Sequence, residues 1–244
     1  MNTVDGHSDA FKKMITITVG QDHTARDFQV YRGLLSHHSA LFKRLLAGPL
    51  EDSNSHSLRY ENVDVFQIFY DWLFSGELAV EDDADLTAKE IVDIYIFADF
   101  YMVQDLKDRA LDLYLLRFIK EWTALQDFTS MIYEKTSEES SLRKLHVDIL
   151  VETFGFENLR EWLSDDPKDF LGDVMEACRD KGIVLGSCPG VANGKGAYWI
   201  AEKKTRFCEK YHEHPRLDAY PAFQVVYVPE VYDLNLLRFA DTFV

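Results

Sequence analysis

The stretch FQVYRGLLSHHSALFKRLLAG, residues 28–48, changes its hydrophobic period partway along. Phe28 and Val30 alternate with polar neighbours, the pattern of a half-buried strand. Leu41, Phe42, Leu45 and Leu46 then recur at helical spacing, while Gly33, Ser36 and Ser39 suit a turn and a helix cap between them. The stretch therefore encodes a compact strand-to-helix unit with an apolar face. It carries no paired acids, no nucleophile beside a base and no phosphate loop, so its use has to be sought in what that face contacts.

The same alternation occurs upstream. In MITITVG, residues 14–20, Ile15, Ile17 and Val19 alternate with Thr16 and Thr18, which predicts a strand with one buried face. Across the polar GQDHTA it pairs with Arg26 to Tyr31 as a hairpin. The helix from about Ser39 stops at Gly48-Pro49, and SLRYEN is short enough for a third strand. Val65, Phe66, Phe69, Trp72 and Leu73 share a helical face that ends at Gly76. Thr87 and Glu90 read as a capping box ahead of an Ile91, Ile94, Tyr95, Ala98 stripe, and Val103, Leu106, Ala110, Leu113, Tyr114 and Phe118 make the next.

Residues 121–181 read as wholly helical apart from a break at KTSEESS. Leu142, Leu145, His146, Ile149 and Leu150 form one face there, and Phe170, Leu171, Val174, Met175 and Cys178 another. Asp166 is placed as a cap, with Pro167 at the first helical position, where proline costs nothing. His146 on its stripe reads as a satisfied core or boundary histidine and Cys178 as a small buried hydrophobe. From Lys181 onward five glycines fall between Gly182 and Gly196, and four of the six prolines lie between Pro189 and Pro229. The helical stripes stop, and an irregular, aromatic-rich tail is expected, with FQVVYV at 223–228 as a strand candidate.

Charge narrows the function classes. The 244 residues carry a net charge of -16, and residues 121–180 alone hold 15 Asp and Glu against 6 Lys and Arg. Such a surface repels phosphate backbones. The basic residues Lys195, Lys203, Lys204, Arg206, Lys210 and Arg216 do gather near Tyr198, Trp199 and Phe207, but Glu202, Glu209 and Glu213 dilute them, so nucleic acid is not an expected partner. Asp82, Asp83 and Asp85, like Asp165, Asp166 and Asp169, read as solvated loops or caps, and GSCPG around Cys188 lacks a nucleophile elbow's strand-to-helix context. No enzyme is expected. Three cysteines suit reduced thiols in the cytosol or nucleus. MNTVDGHSDAFKK lacks the charged start and apolar run of a signal peptide, and no apolar run approaches the ~20 residues of a membrane helix. An intracellular protein off the membrane is expected.

Three consecutive segments carry a family resemblance. DFQVYRGLLSHHSALFKRLL resembles the F-x-V-H-K-x-x-L-x-x-x-S-x-F-F pattern of the BTB (POZ) domain at Phe28, Val30, Arg32, Leu35, Ser39 and Phe42. VFQIFYDWLFSGEL resembles the stretch ending in its Tyr-x-Gly-x-Leu element at Phe74, Gly76 and Leu78. IFADFYMVQDLKDRAL resembles its A-D-x-Y-x-x-x-x-L-K segment at Ala98, Asp99, Tyr101, Leu106 and Lys107. The resemblance implies an α+β, mainly helical BTB/POZ fold with a small β-sheet at 14–120. An N-terminal tail (1–13) precedes it; a helical extension (121–181) and a Gly/Pro/aromatic-rich segment (182–244) follow. That architecture is similar to the single-BTB proteins of fungi. The family's usual histidine after the second strand is Tyr31 here. The hydrophobic-x-Glu element of cullin-binding members reads Phe66-Gln67-Ile68, without the acid.

The resemblance implies protein–protein interaction, with a two-fold homodimer face in residues 11–46. Phe11, Met14, Ile15, Ile17, Asp27, Arg32, Leu35 and Phe42 are its candidates. A partner-binding helix is expected at Val65, Phe66, Phe69 and Tyr70, and a substrate adaptor for a cullin-type ubiquitin ligase is the alternative function. From the residues alone, Cys188, Cys208, His212 and His214 read C-x19-C-x3-H-x-H, and thiolate and imidazole suit tetrahedral zinc. A zinc-stapled C-terminal binding module, or a metalloenzyme, is the alternative from another class.

Overall fold

The computed structural model describes residues 13–78, 86–121, 126–153, 167–183 and 196–213, all within one compact unit, Met1–Glu213. The two alternating segments form β1 (Met14–Val19) and β2 (Arg26–Tyr31), antiparallel, with Ile15 opposite Val30 and Ile17 opposite Phe28. Their inward side chains are buried, so the period of two does place one face on the core. Gly20 turns the chain out of β1 at φ +89°. β3 (Ser55–Leu58) lies parallel on the other side of β1, giving the order β2-β1-β3. It begins two residues before the SLRYEN stretch and ends at Leu58, buried beside Val19; Arg59 and Tyr60 turn out of the ladder.

The turn expected at Gly33–Ser36 is instead helix α1 (Arg32–His38). Nothing local favours it: its N-cap, Tyr31, makes no side-chain cap bond. Tertiary contacts hold it. Leu35 is fully buried. The Arg32 guanidinium donates to the carbonyls of Ser53 (2.7 Å), Leu46 (3.3 Å), Leu50 (2.6 Å) and Glu51 (2.9 Å). Ser39 caps α2 (Ala40–Leu46) as expected, accepting from Phe42 N at 3.0 Å, and its hydroxyl also donates to Tyr101 O at 2.5 Å.

α3 (Val63–Ser75) starts on an Asn62 side-chain cap and ends at Gly76, φ +73°. α4 (Ala88–Phe100) starts on the Thr87–Glu90 capping box and turns through Met102 into α5 (Gln104–Glu121). An aromatic core joins sheet and helices: ring centroids are 4.8 Å apart for Phe28–Phe66, 5.0 Å for Phe69–Phe97 and 5.2 Å for Phe42–Tyr101. The extension supplies α6 (Thr129–Lys135), α7 (Ser141–Thr153) and α8 (Lys168–Lys181). Pro167 occupies the cap position of α8, one residue earlier than expected. His146 is indeed a satisfied core group, 2.7 Å from the Tyr114 hydroxyl through Nδ1 and 2.9 Å from the Thr129 hydroxyl through Nε2.

The tail departs from its expected irregularity. Residues Gly196–Tyr211 form a sixteen-residue helix, α9. Its inward stripe is half-buried Trp199 and buried Lys203, Phe207 and Tyr211, one residue every four. A lysine inside that stripe broke the apolar pattern and hid the helix. The strand candidate at 223–228 lies outside the described residues.

Candidate functional site

The candidate homodimer residues divide by depth. Ile15, Ile17, Leu35 and Phe42 are no more than 1% exposed. They belong to the domain's interior and shape its face from beneath; a partner could not touch them. Arg32 spends its guanidinium on the 46–53 segment. The outward side of the sheet is polar: Thr16, Thr18, Asp27 and Gln29, with Thr18 donating to Asp27 at 2.7 Å. Met14, 43% exposed, is the large apolar side chain left there. Phe11 lies outside the described residues.

On α3, Val65, Phe66 and Phe69 also face inward. Tyr70 is half-buried, donates its hydroxyl to Gln29 O at 3.3 Å and packs its ring on exposed Phe74, centroids 4.9 Å apart. Gln67, at the middle of the hydrophobic-x-Glu position, accepts from Arg26 at 3.1 Å and donates to Asp71 at 2.9 Å. It ties α3 to the edge strand β2.

Of the metal candidates, Cys188 and His214 lie outside the described residues. Cys208 is exposed on the last turn of α9. His212 Nε2 lies 3.1 Å from Asp112 Oδ1. Burial works against the charged imidazole, but Asp112, and then Asp108, hold its pKa above the ordinary value. Among the described residues no three His, Cys, Asp or Glu side chains converge as metal ligands do.

A different set of large side chains is left accessible. Tyr60, Phe100 and Met102 are 92%, 66% and 48% exposed. Tyr60 sits on the turn between β3 and α3, Phe100 ends α4, and Met102 lies on the turn between α4 and α5. Tyr101 joins the turns: its hydroxyl donates to Glu61 Oε1 at 3.0 Å, while its ring stays buried between Phe42 and Phe97. Burial, reinforced by the Glu61 carboxylate, keeps that phenol protonated. Met102 takes φ +54°, unusual for a side chain with a Cβ. Three bonds hold it there: Met102 N to Asp99 O at 3.2 Å, Val103 N to Ala98 O at 2.8 Å, and Ala40 N to Met102 O at 3.3 Å. With Tyr101 anchored inward, its neighbours Phe100 and Met102 point to solvent.

Periodicity passes over such residues, because Tyr60 and Met102 stand alone in turns and Phe100 ends its helix. The legible signal is that Phe100 falls off the Ile91–Ile94–Tyr95–Ala98 stripe of its own helix. Among the described residues no helix is long and apolar enough to cross a membrane.

The family model for the BTB/POZ domain matches residues 7–114. No curated protein matches the chain. Among solved structures, the chain is similar to the BTB (Tramtrack and Bric a brac) domain of human gigaxonin. The identity is 20% and the TM-score 0.32, over 46% of this chain and 95% of that one.

Proposed function

Since residues 7–114 are a BTB/POZ domain, we propose that the chain works as a protein–protein interaction module and not as an enzyme. The exposure of Tyr60, Phe100 and Met102 carries this reading. Burying a large apolar side chain contributes about 1.5–3 kcal/mol, so side chains such as these can anchor a specific contact. A cullin-type scaffold is the first partner to try, because adaptor function is the family's alternative role. The test is a pull-down of a purified cullin by wild type and by Phe100→Asp and Met102→Asp. Retention by wild type with loss in both variants supports the adaptor reading. No retention by wild type removes the cullin, and retention by both variants removes these side chains.

Self-association is the second reading, favoured by Met14 standing exposed at the start of β1, on the outer side of the sheet. Light scattering over a dilution series tests it. A persistent mass near twice 28.3 kDa that Met14→Asp abolishes supports a symmetric dimer there; a stable monomer removes it. A cytosolic or nuclear setting, suited to three reduced cysteines, belongs to the same proposal.

A further inference from the structure

The basic and aromatic residues that look like a diluted patch in sequence are ordered on α9, and their contacts define a second site. α9 holds four Lys and Arg against two Glu, whereas the whole chain holds 26 against 42 Asp and Glu. Trp199, Lys203, Phe207 and Tyr211 recur every four residues, so they share one face of the helix. That face lies against α5 and α7. The Trp199 ring meets Phe118 of α5 edge-on at 5.7 Å, and its Nε1 donates to Glu152 Oε2 at 2.8 Å. Lys203, 8% exposed, pairs with the same oxygen at 2.7 Å. Lys210 pairs with Asp148 Oδ2 at 2.7 Å, and the Tyr211 hydroxyl donates to that oxygen at 2.6 Å. Past the helix end, Glu213 N donates to Asp108 Oδ1 at 3.3 Å, and the Glu213 carboxylate meets Lys107 at 3.1 Å.

The receiving surface is therefore a groove with acidic walls: Asp108 and Asp112 on α5, Asp148 and Glu152 on α7. Lys181 of α8 also bonds Asp148 (2.9 Å) and Glu152, so the two α7 acids keep a partner when α9 is gone. Buried charge limits what the docking contributes to stability. Taking Lys203 out of water opposes its charge more than Glu152 restores it, and its pKa is lowered. A buried pair of this kind returns little net stability beyond its desolvation cost. Helix-in-groove recognition of this type is read from anchors one turn apart.

We propose that the groove between α5 and α7 is a docking site for a partner protein's amphipathic helix, one bearing aromatic and basic residues four apart, and that α9 occupies it in cis. Charge complementarity selects this occupant: the groove wall is anionic, and α9, the segment that fits it, is cationic. The site is separate from Tyr60, Phe100 and Met102 and does not depend on them. A module with both surfaces could join two proteins, with α9 governing access to one.

The test uses the full chain and a fluorescein-labelled peptide of residues 196–213. Wild type is compared with Lys203→Gln/Lys210→Gln, which loosens α9 and leaves the groove intact, and with Trp199→Ala as an independent second variant. Circular dichroism confirms that each remains folded. Anisotropy should show the peptide binding about tenfold to a hundredfold tighter to both variants, as expected when a competing cis occupant is removed. A peptide carrying Lys203→Glu and Lys210→Glu should not bind. Folded variants that bind no better than wild type would overturn the proposal, as would equal binding of the charge-reversed peptide. A doubled mass of the variants without peptide would also overturn it, because the occupant would then be a second copy's α9.

Discussion

Acid should loosen this protein before its carboxylates titrate, and one histidine sets the window. His146 is 4% exposed, bonded through both ring nitrogens and packed 5.5 Å from the Phe170 ring. It joins α5, α6, α7 and α8. Burial lowers its pKa from 6.5 to about 4. Above pH 6.5 the imidazole is neutral in both folded and unfolded chains, so nothing is lost. As pH falls below 6.5 the unfolded chain takes up a proton that the folded one refuses, and stability drops until pH reaches about 4. The slope approaches 1.4 kcal/mol per pH unit, so the whole window removes about 3 kcal/mol and the interval from pH 6.5 to 5 about 2 kcal/mol.

Other shifted groups act elsewhere. His212 has a raised pKa, so its contribution is complete below pH 6.5 and is lost as pH rises through its folded value. Asp148, held at about 2, and Glu152, also lowered, contribute above their unfolded values and lose this only on further acidification. Urea denaturation followed by circular dichroism at pH 7.5, 6.5, 5.5 and 5 reads the window directly. His146→Gln keeps a donor and an acceptor but cannot titrate, so its stability should stay flat from pH 6.5 to 5. A wild type equally stable at pH 6.5 and 5, or a Gln variant with the wild-type slope, would refute the reasoning.

Three further outcomes follow from local geometry. Arg32→Ala leaves the four carbonyls of the 46–53 segment without their donor and should cost about 2–4 kcal/mol in urea; Arg32→Lys should recover only part, since a point charge cannot fork. Gly20→Ala and Gly76→Ala both force a side chain into left-handed backbone, at φ +89° and +73°, each costing about 1–2 kcal/mol. At Gly20 the new Cβ would also lie 2.8 Å from Val63 Cγ2, whereas Gly76 faces open space, so Gly20→Ala should lose roughly 1 kcal/mol more; equal thermal shifts would contradict this. Gly172 sits inside α8 with nothing within 4 Å of an added Cβ, and Gly172→Ala should stabilise by about 0.5–1 kcal/mol.

What could be read from the chain was local. The alternation of Ile15, Ile17 and Val19, the Thr87–Glu90 box and the Ser39 cap each place their determinants within a few residues, and each forms as expected. Alternation reports that a face is buried, though not by what. That is why Ile15, Ile17, Leu35 and Phe42 could be taken for a partner surface when they are the domain's own core. α1 escaped because Arg32 bonds a segment 14 to 21 residues away, and Phe100 and Met102 escaped because exposure at a helix end or in a turn leaves no period. α9 shows how such a gap can be narrowed. Lys203 is buried against Glu152, a half-buried carboxylate 51 positions upstream. Asp148 and Glu152 stand four apart on α7, among Leu145, Ile149 and Leu150. Two acids one turn apart beside the apolar stripe of a helix call for a cation from elsewhere in the chain. A lysine on an aromatic stripe, Trp199-x3-Lys203-x3-Phe207-x3-Tyr211, is the matching half. Neither pattern means much alone. Their complementarity in charge and spacing is the long-range information that periodicity taken one segment at a time discards.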